Sequence, residues 1–170
     1  MSVRWRCTVC GAPGGESVVK GWEAKLKPEE MRKVIDALNQ DVSLELGAII
    51  QYLWHHYTAE GMESPAIIGL FEKLARDEMK HLELFAERIV DLGGEPTTQI
   101  APMKKGGDLK KMVRDDLEGE RNAIQVYKGH IRLAAELGDT TTRRMLEEVV
   151  STEEEHAALW ETTLGIKPGE

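Results

Sequence analysis

Apolar residues recur at alternating steps of three and four along four separate stretches of the chain, the period of a helix with one buried face. In the first stretch the inward set is Ile35, Leu38, Val42, Glu45, Ile49, Tyr52 and His56, and in the second Ile67, Phe71, Leu74, Glu78, His81 and Phe85. The third offers Val113, Leu117, Glu120, Ile124, Tyr127 and Ile131, and the fourth Leu146, Val149, Glu153, His156 and Trp160. Each row is apolar at its ends and acidic in its middle. None of these positions holds Lys or Arg.

Start and stop signals bound the four helices. Pro28, followed by Glu29 and Glu30, suits a first turn, and Gly61 follows a helix α1 that runs from 28 to about 60. Ser64 as cap, Pro65 in the first turn and the stop at Gly93-Gly94 give α2 over roughly 65–92. Asp108 caps α3, which reaches Leu137 before Gly138, and Asp139 caps α4, which reaches Leu164 before Gly165. The α1–α2 and α3–α4 links are only a few residues, so those neighbours must be antiparallel. Residues 93–107 form a long link containing Pro96 and Pro102. Extended, it spans about 50 Å, enough to cross the bundle from end to end. The expected fold is all-α, an antiparallel four-helix bundle with one long crossover between α2 and α3, the ferritin-like arrangement.

Residues 1–27 carry Gly11, Pro13, Gly14, Gly15 and Gly21 and no helical period, so they are expected to form an extension outside the bundle, which occupies 28–170. The whole chain, 170 residues, is the size of one ordinary domain. A net charge of -8 argues against a partner held through phosphate contacts, so no direct nucleic-acid binding is expected. The cations Arg4, Arg6, Lys20, Lys25 and Lys27 are read as part of a solvated arm. No apolar run is long enough to span a bilayer and no cleavable leader precedes the helices, so a cytoplasmic protein without a membrane partner is expected.

Four carboxylates on core-facing positions are costly unless compensated, and the rows contain no cation to do so. Two divalent metals would balance the four charges. Spacing points the same way: Glu78-x-x-His81 and Glu153-x-x-His156 each place a carboxylate and an imidazole on one helical face. With Glu45 from α1 and Glu120 from α3 they complete the donor set of a di-iron carboxylate bundle. One constant offset along the chain maps Glu45 to Glu120, Tyr52 to Tyr127, His55 to His130, Glu78 to Glu153 and His81 to His156. The site should therefore be pseudo-twofold, with Glu78 and Glu153 bridging the metals, Glu45 and Glu120 binding one each, and a histidine completing each shell. Tyr52 and Tyr127 lie two turns from their glutamates. Each is either a core ring or a phenol that hydrogen-bonds a ligand or donates an electron, and their paired positions favour the second reading. His55, His56 and His130 have no acidic partner at ligand spacing and read as structural or surface residues.

The motifs L-E-L-G-A-I-I-Q-Y (44–52), D-E-M-K-H (77–81), D-D-L-E-G-E (115–120) and E-E-E-H (153–156) resemble those of bacterioferritins over residues 28–164. The resemblance implies the same six ligands, two iron ions per subunit, and oxidation of Fe(II) by O₂ or H₂O₂ for storage or detoxification, catalysed at those residues. It also implies a homo-oligomer, with a dimer as the minimum and a shell as the larger form. The short fifth helix of 24-subunit shells has no counterpart in the brief stretch after His156, so that assembly is not implied. Met79 stands where haem-containing members ligate a shared haem; it is equally suited to interface packing. Rubrerythrins are similar but carry a further glutamate one turn from the first on α3, where this chain has Leu117, Ala123 and Ile124.

The segment R-C-T-V-C-G resembles the first knuckle of a rubredoxin, without the second C-x-x-C that closes a four-thiolate site. Cys7 and Cys10 remain open between three readings: iron or zinc shared between the pairs of two subunits, a redox dithiol, and a remnant. Two other functions stay in view. One is a rubrerythrin-like peroxidase fed with electrons through the cysteines, and the other a non-enzymatic dimer whose site holds zinc.

Overall fold

A computed structural model describes residues 26–167, so Cys7 and Cys10, and with them the proposed N-terminal knuckle, lie outside the described residues. Four helices follow one another: α1 Pro28–Thr58, α2 Ser64–Asp91, α3 Leu109–Leu137 and α4 Thr140–Leu164. No helix among the described residues is long and apolar enough to cross a membrane.

The ends are set by local chemistry. Pro28 opens α1 without wasting a donor. Beside it, the Glu30 carboxylate accepts the Lys27 N–H at 2.8 Å. Asp108 accepts from the Lys111 N–H at 2.8 Å, and Asp139 from the Thr142 N–H at 3.0 Å, each as a helix cap. Arg88 near the end of α2 also donates to Asp139, which ties the two hairpins together at that end. Gly138 closes α3 with a left-handed backbone that a side chain would strain. Two boundaries differ from expectation. α1 stops at Thr58, and Ser64 is the first residue of α2 rather than its cap, because its hydroxyl donates to the Gly61 carbonyl instead of accepting a helix N–H.

α1 packs on α2 and α3 on α4, and α1 and α3 face each other antiparallel across the bundle. Two apolar layers fill the interior. One holds Phe71, Leu74, Met112, Leu117 and Trp160, and the other Val34, Leu38, Phe85, Ile89 and Leu146. The acidic middles of the helices lie between them.

The inward face of α1 is wider than its apolar pattern suggests. Ile35, Ile49 and His56 are only partly buried, whereas Asp41, Gln51 and His55 are buried. α3 and the crossover cover this flank of α1. The crossover is pinned to α1 by the Thr97 N–H on Asn39 Oδ1 (2.6 Å), the Ala101 N–H on the Ser43 carbonyl (3.0 Å) and the Lys104 N–H on Gln51 Oε1 (2.6 Å). The expected crossover is thus present, and it runs along α1 as a hydrogen-bonded strap.

Candidate metal centre

Glu45, Glu78, His81, Glu120, Glu153 and His156 converge between the two apolar layers, all buried. Donor atoms of Glu45, Glu78, His81 and Glu153 lie within 4.8 Å of one another, and so do those of Glu78, Glu120, Glu153 and His156. The two groups share Glu78 and Glu153, while Glu45 and Glu120 belong to one each. This sharing follows the repeat of the sequence, which relates Glu45 to Glu120 and Glu78 to Glu153.

The helices explain the convergence. In α2 and α4 the glutamate and histidine of each motif project from one face, because one helical turn separates them. His81 Nδ1 lies 2.9 Å from Glu78 and 3.0 Å from Glu153. His156 Nδ1 lies 3.1 Å from each of Glu153 and Glu78. The imidazoles stack at 6.0 Å between ring centres. Glu78 Oε1 has His156 Nδ1 as an ionic neighbour at 3.1 Å but is buried with no hydrogen-bond partner. A core acceptor left unpaired in this way fits a cation-binding position, because an unsatisfied buried carboxylate oxygen is otherwise costly.

Charges are shared out accordingly. Burial works against a charge on His81, but the carboxylates of Glu153 and Glu78 overrule it and hold the imidazole at a pKa of about 9. His156 is raised to about 9 by the same contest. Burial would raise Glu153, yet the His156 and His81 imidazoles depress it. Burial, then the charges of Glu78 and Glu153, push Glu45 and Glu120 well up. The core therefore does contain cations, contrary to the reading of its apolar rows: without metal, the imidazoles of His81 and His156 supply compensation, and burial shifts Glu45 and Glu120 towards their neutral form. All of these groups become donors when protons leave, which is the chemistry a pair of divalent metals requires.

Each tyrosine contacts a glutamate that belongs to one donor group alone. Tyr127 Oη donates to Glu45 at 2.6 Å, and Tyr52 Oη donates to Glu120. Burial, followed by the charge of the adjacent glutamate, raises both phenols well above their usual pKa, so both stay protonated donors. The Trp160 indole N–H donates to Tyr52 Oη at 2.9 Å, a contact without a counterpart at Tyr127.

His55 and His130 have acidic partners after all, across the bundle rather than along their own helices. His55 Nδ1 is 2.9 Å from Asp116 and His130 Nδ1 is 2.8 Å from Asp41. Burial raises both aspartates, against the pull of their histidines. The apolar rows alone miss Asp41 and Asp116, although the offset that relates the two halves maps one on the other, and each precedes its single glutamate by one helical turn. His56 lies at the margin, its Nδ1 2.9 Å from the Ile68 carbonyl. Met79 projects outward from α2, 55% exposed, and takes no part in the centre.

The chain is similar to known proteins. A bacterioferritin of Desulfovibrio desulfuricans is 35% identical over 136 residues, 79% of this chain and 76% of its own length. One from Brucella melitensis is 30% identical over 79% of this chain and 84% of its own length. Among solved structures, the Desulfovibrio desulfuricans bacterioferritin, described with a diiron site in different catalytic states, superposes with a TM-score of 0.77 at 34% identity, covering 81% of each chain. A ferritin-like diiron-carboxylate protein from Bacillus anthracis superposes with a TM-score of 0.78 at 29% identity, covering 81% of this chain and 99% of its own. The ferritin-like domain profile matches residues 35–167. With four helices, one crossover and this buried donor set, the chain belongs to the ferritin-like domain family.

Proposed function

We propose that the chain is a ferroxidase that binds two iron ions at Glu45, Glu78, His81, Glu120, Glu153 and His156 and oxidises Fe(II) with O₂ or H₂O₂, for iron storage or detoxification. The observation that carries this reading is the pair of overlapping four-donor groups sharing Glu78 and Glu153. Glu78 and Glu153 would be shared by the two ions, and Glu45 with His81 and Glu120 with His156 would complete the two donor sets. Iron bound there supplies the electrons that reduce the oxidant. Tyr52 and Tyr127 hold the terminal carboxylates by hydrogen bonds, and the two imidazoles and terminal glutamates release their protons as metal binds. The apolar layers above and below exclude bulk water from the centre. Anaerobic titration should show two Fe(II) per chain, both oxidised when oxidant is admitted. A chain that binds fewer than two would overturn the assignment.

The assembly belongs to the same reading. The exposed side chains of Ile50, Trp54, Tyr57 and Met79 on α1 and α2 offer apolar surface for a second copy, and a dimer is its minimum size. Met79 is exposed enough to ligate a haem at such an interface; the Rhodobacter capsulatus bacterioferritin, with a TM-score of 0.73, is described with a haem iron on a crystallographic special position. Absorbance of the purified protein in the visible haem bands, lost in Met79→Leu, tests that extension. For Cys7 and Cys10 the three readings, a metal site shared by two chains, a redox dithiol and a remnant, are separated by experiment: metal above two per chain, lost in Cys7→Ser, selects the first.

A further inference from the structure

We infer that the two metal positions are unequal, and that Asp77 makes the one at Glu120 and His156 the tighter of the two, so that it fills first. The inference rests on the ferroxidase reading and adds an order to its binding step.

The two halves of the centre match donor for donor, and the difference lies behind the imidazoles. Both rings turn Nδ1 towards the carboxylates. His156 Nδ1 reaches across to Glu78 on α2 at 3.1 Å, and His81 Nδ1 reaches across to Glu153 on α4 at 3.0 Å. The residue before each of these glutamates is Asp77 on α2 and Thr152 on α4, and the offset that relates the halves maps one on the other. Their chemistry differs. His156 Nε2 lies 3.8 Å from Asp77 Oδ2, whereas among the described residues His81 pairs with carboxylates through Nδ1 alone. The Thr152 hydroxyl carries no charge and donates to the Glu148 carbonyl of its own helix.

Asp77 is held in place from the solvent side. Its side chain is 17% exposed, beneath Lys73 and Lys80, which are 62% and 71% exposed. Lys80 Nζ donates to Oδ1 at 2.7 Å and Lys73 Nζ to Oδ2 at 3.0 Å. Exposed pairs along one helix contribute little stability by themselves. Here they fix a carboxylate whose Oδ2 also faces the imidazole.

A metal on Nδ1 leaves the proton of a neutral imidazole on Nε2. At His156 that nitrogen faces an anion, which favours the ligating tautomer, steadies the ring and raises the basicity of Nδ1. At His81 it faces none. The rings stack 6.0 Å apart, so the charge of Asp77 acts on the second position as well, but from farther away and more weakly. Another departure from symmetry falls on the same half and supplies a control. The offset maps Phe85 to Trp160, whose indole N–H donates to Tyr52 Oη at 2.9 Å. Trp160 can act on Glu120 only through Tyr52, whereas Asp77 acts on His156, so separate substitutions tell the two apart.

Single positions are isolated with Glu45→Ala, which leaves Glu120 with His156, and with Glu120→Ala, which leaves Glu45 with His81. Co(II) is titrated into each metal-free protein under argon and followed by its visible absorption. The Glu45→Ala chain should bind Co(II) about tenfold or more tighter than the Glu120→Ala chain. Asp77→Asn, which keeps the shape and removes the charge, should erase most of that difference. It should weaken the Glu45→Ala chain and shift its Co(II) bands, while the Glu120→Ala chain changes by less than about threefold. Thr152→Asp should tighten the Glu120→Ala chain. In the parent, the first Co(II) bound should show the bands of the Glu45→Ala chain. Equal affinities in the two single-site chains, or a difference that survives Asp77→Asn, would overturn the inference, and so would a difference that Trp160→Phe abolishes with Asp77 in place. A parent that binds fewer than two Co(II) would overturn the metal site itself and this inference with it, whereas a parent that binds two at equal positions overturns the order alone.

Discussion

His55 Nδ1 stands 2.9 Å from Asp116 Oδ2, with neither side chain exposed. Its twofold counterpart, Asp41 with His130, spans 2.8 Å at the opposite end of the same seam, with the histidine 16% exposed. Together they clamp α1 to α3 on either side of the contacts that Tyr127 and Tyr52 make with Glu45 and Glu120. Buried pairs of this kind contribute little net stability against an apolar alternative, but they penalise any register in which one partner is missing. That makes them suited to fixing how α1 faces α3, and hence where Glu45 and Glu120 project.

Removing one partner should therefore cost more than removing both. His55→Ala leaves the buried Asp116 carboxylate with Gln51 alone, and the loss expected is about 3–5 kcal/mol. His130→Ala should cost less, because water can reach its partly exposed position. The double variant His55→Leu/Asp116→Leu should recover most of the loss. Urea unfolding of the metal-free variants decides it, and a double variant weaker than His55→Ala would refute the clamp.

Glu78 and Glu153 belong to both donor groups, so Glu78→Ala and Glu153→Ala should behave alike and abolish binding of a metal pair. Glu45→Ala and Glu120→Ala remove a terminal donor from one group and should each leave a single tight site. Co(II) titration under argon reads the stoichiometry. Two equivalent metals retained in Glu78→Ala would contradict the bridging role.

The metal-free protein should weaken in alkali. His81 and His156 sit at about 9 when folded, above the usual 6.5 of an imidazole. Because the folded value is the higher one, their stabilisation is complete below about pH 6.5 and is lost as pH rises through about 9. Glu45 and Glu120, also raised, have the same sign. The depressed Glu153 has the opposite one and withdraws its contribution only as pH falls below its usual range. The loss expected between about pH 7 and about pH 10 is a few kcal/mol. Bound Zn(II) or Co(II) holds the same groups deprotonated and should abolish the alkaline loss. Calorimetry with and without metal is the measurement; a metal-free midpoint that climbs over this interval would contradict the assignment of the charges.

Much of this architecture could be read in the sequence because it is written in local terms. Asp108, Gly138, Asp139 and Gly165 act within a helical turn, and the Glu-x-x-His spacing depends only on helix geometry. The repeat announces the symmetry of the donors. The flank of α1 carrying Asp41, Gln51 and His55 was not legible as core, because its polar side chains look solvated until α3 and the crossover bring their partners. His55 and Asp116 come from different helices far apart in the chain, and nothing local announces their contact. The same holds for the cationic state of the core, which arises only where His81 meets Glu153 from another helix.

The symmetry breaks at the tyrosines, and the break is testable. Tyr52 Oη donates to Glu120 and accepts the Trp160 indole N–H at 2.9 Å, whereas Tyr127 Oη donates to Glu45 and packs its ring edge-on to Phe85 at 5.4 Å. Tyr52→Phe therefore removes one hydrogen bond from a terminal glutamate and also strands a donor on Trp160, which has no exposed surface. Tyr127→Phe removes only the first. An unsatisfied buried donor costs about 1–3 kcal/mol, so the Tyr52 variant should be the less stable by an amount of that order. Trp160→Phe in the Tyr52→Phe background removes the stranded donor and should return part of the difference. The two single variants should perturb the Co(II) spectrum comparably, because each loosens one terminal carboxylate. Equal unfolding midpoints for Tyr52→Phe and Tyr127→Phe would show that the Trp160 contact contributes nothing, and that the two halves of the centre are equivalent beyond their donors.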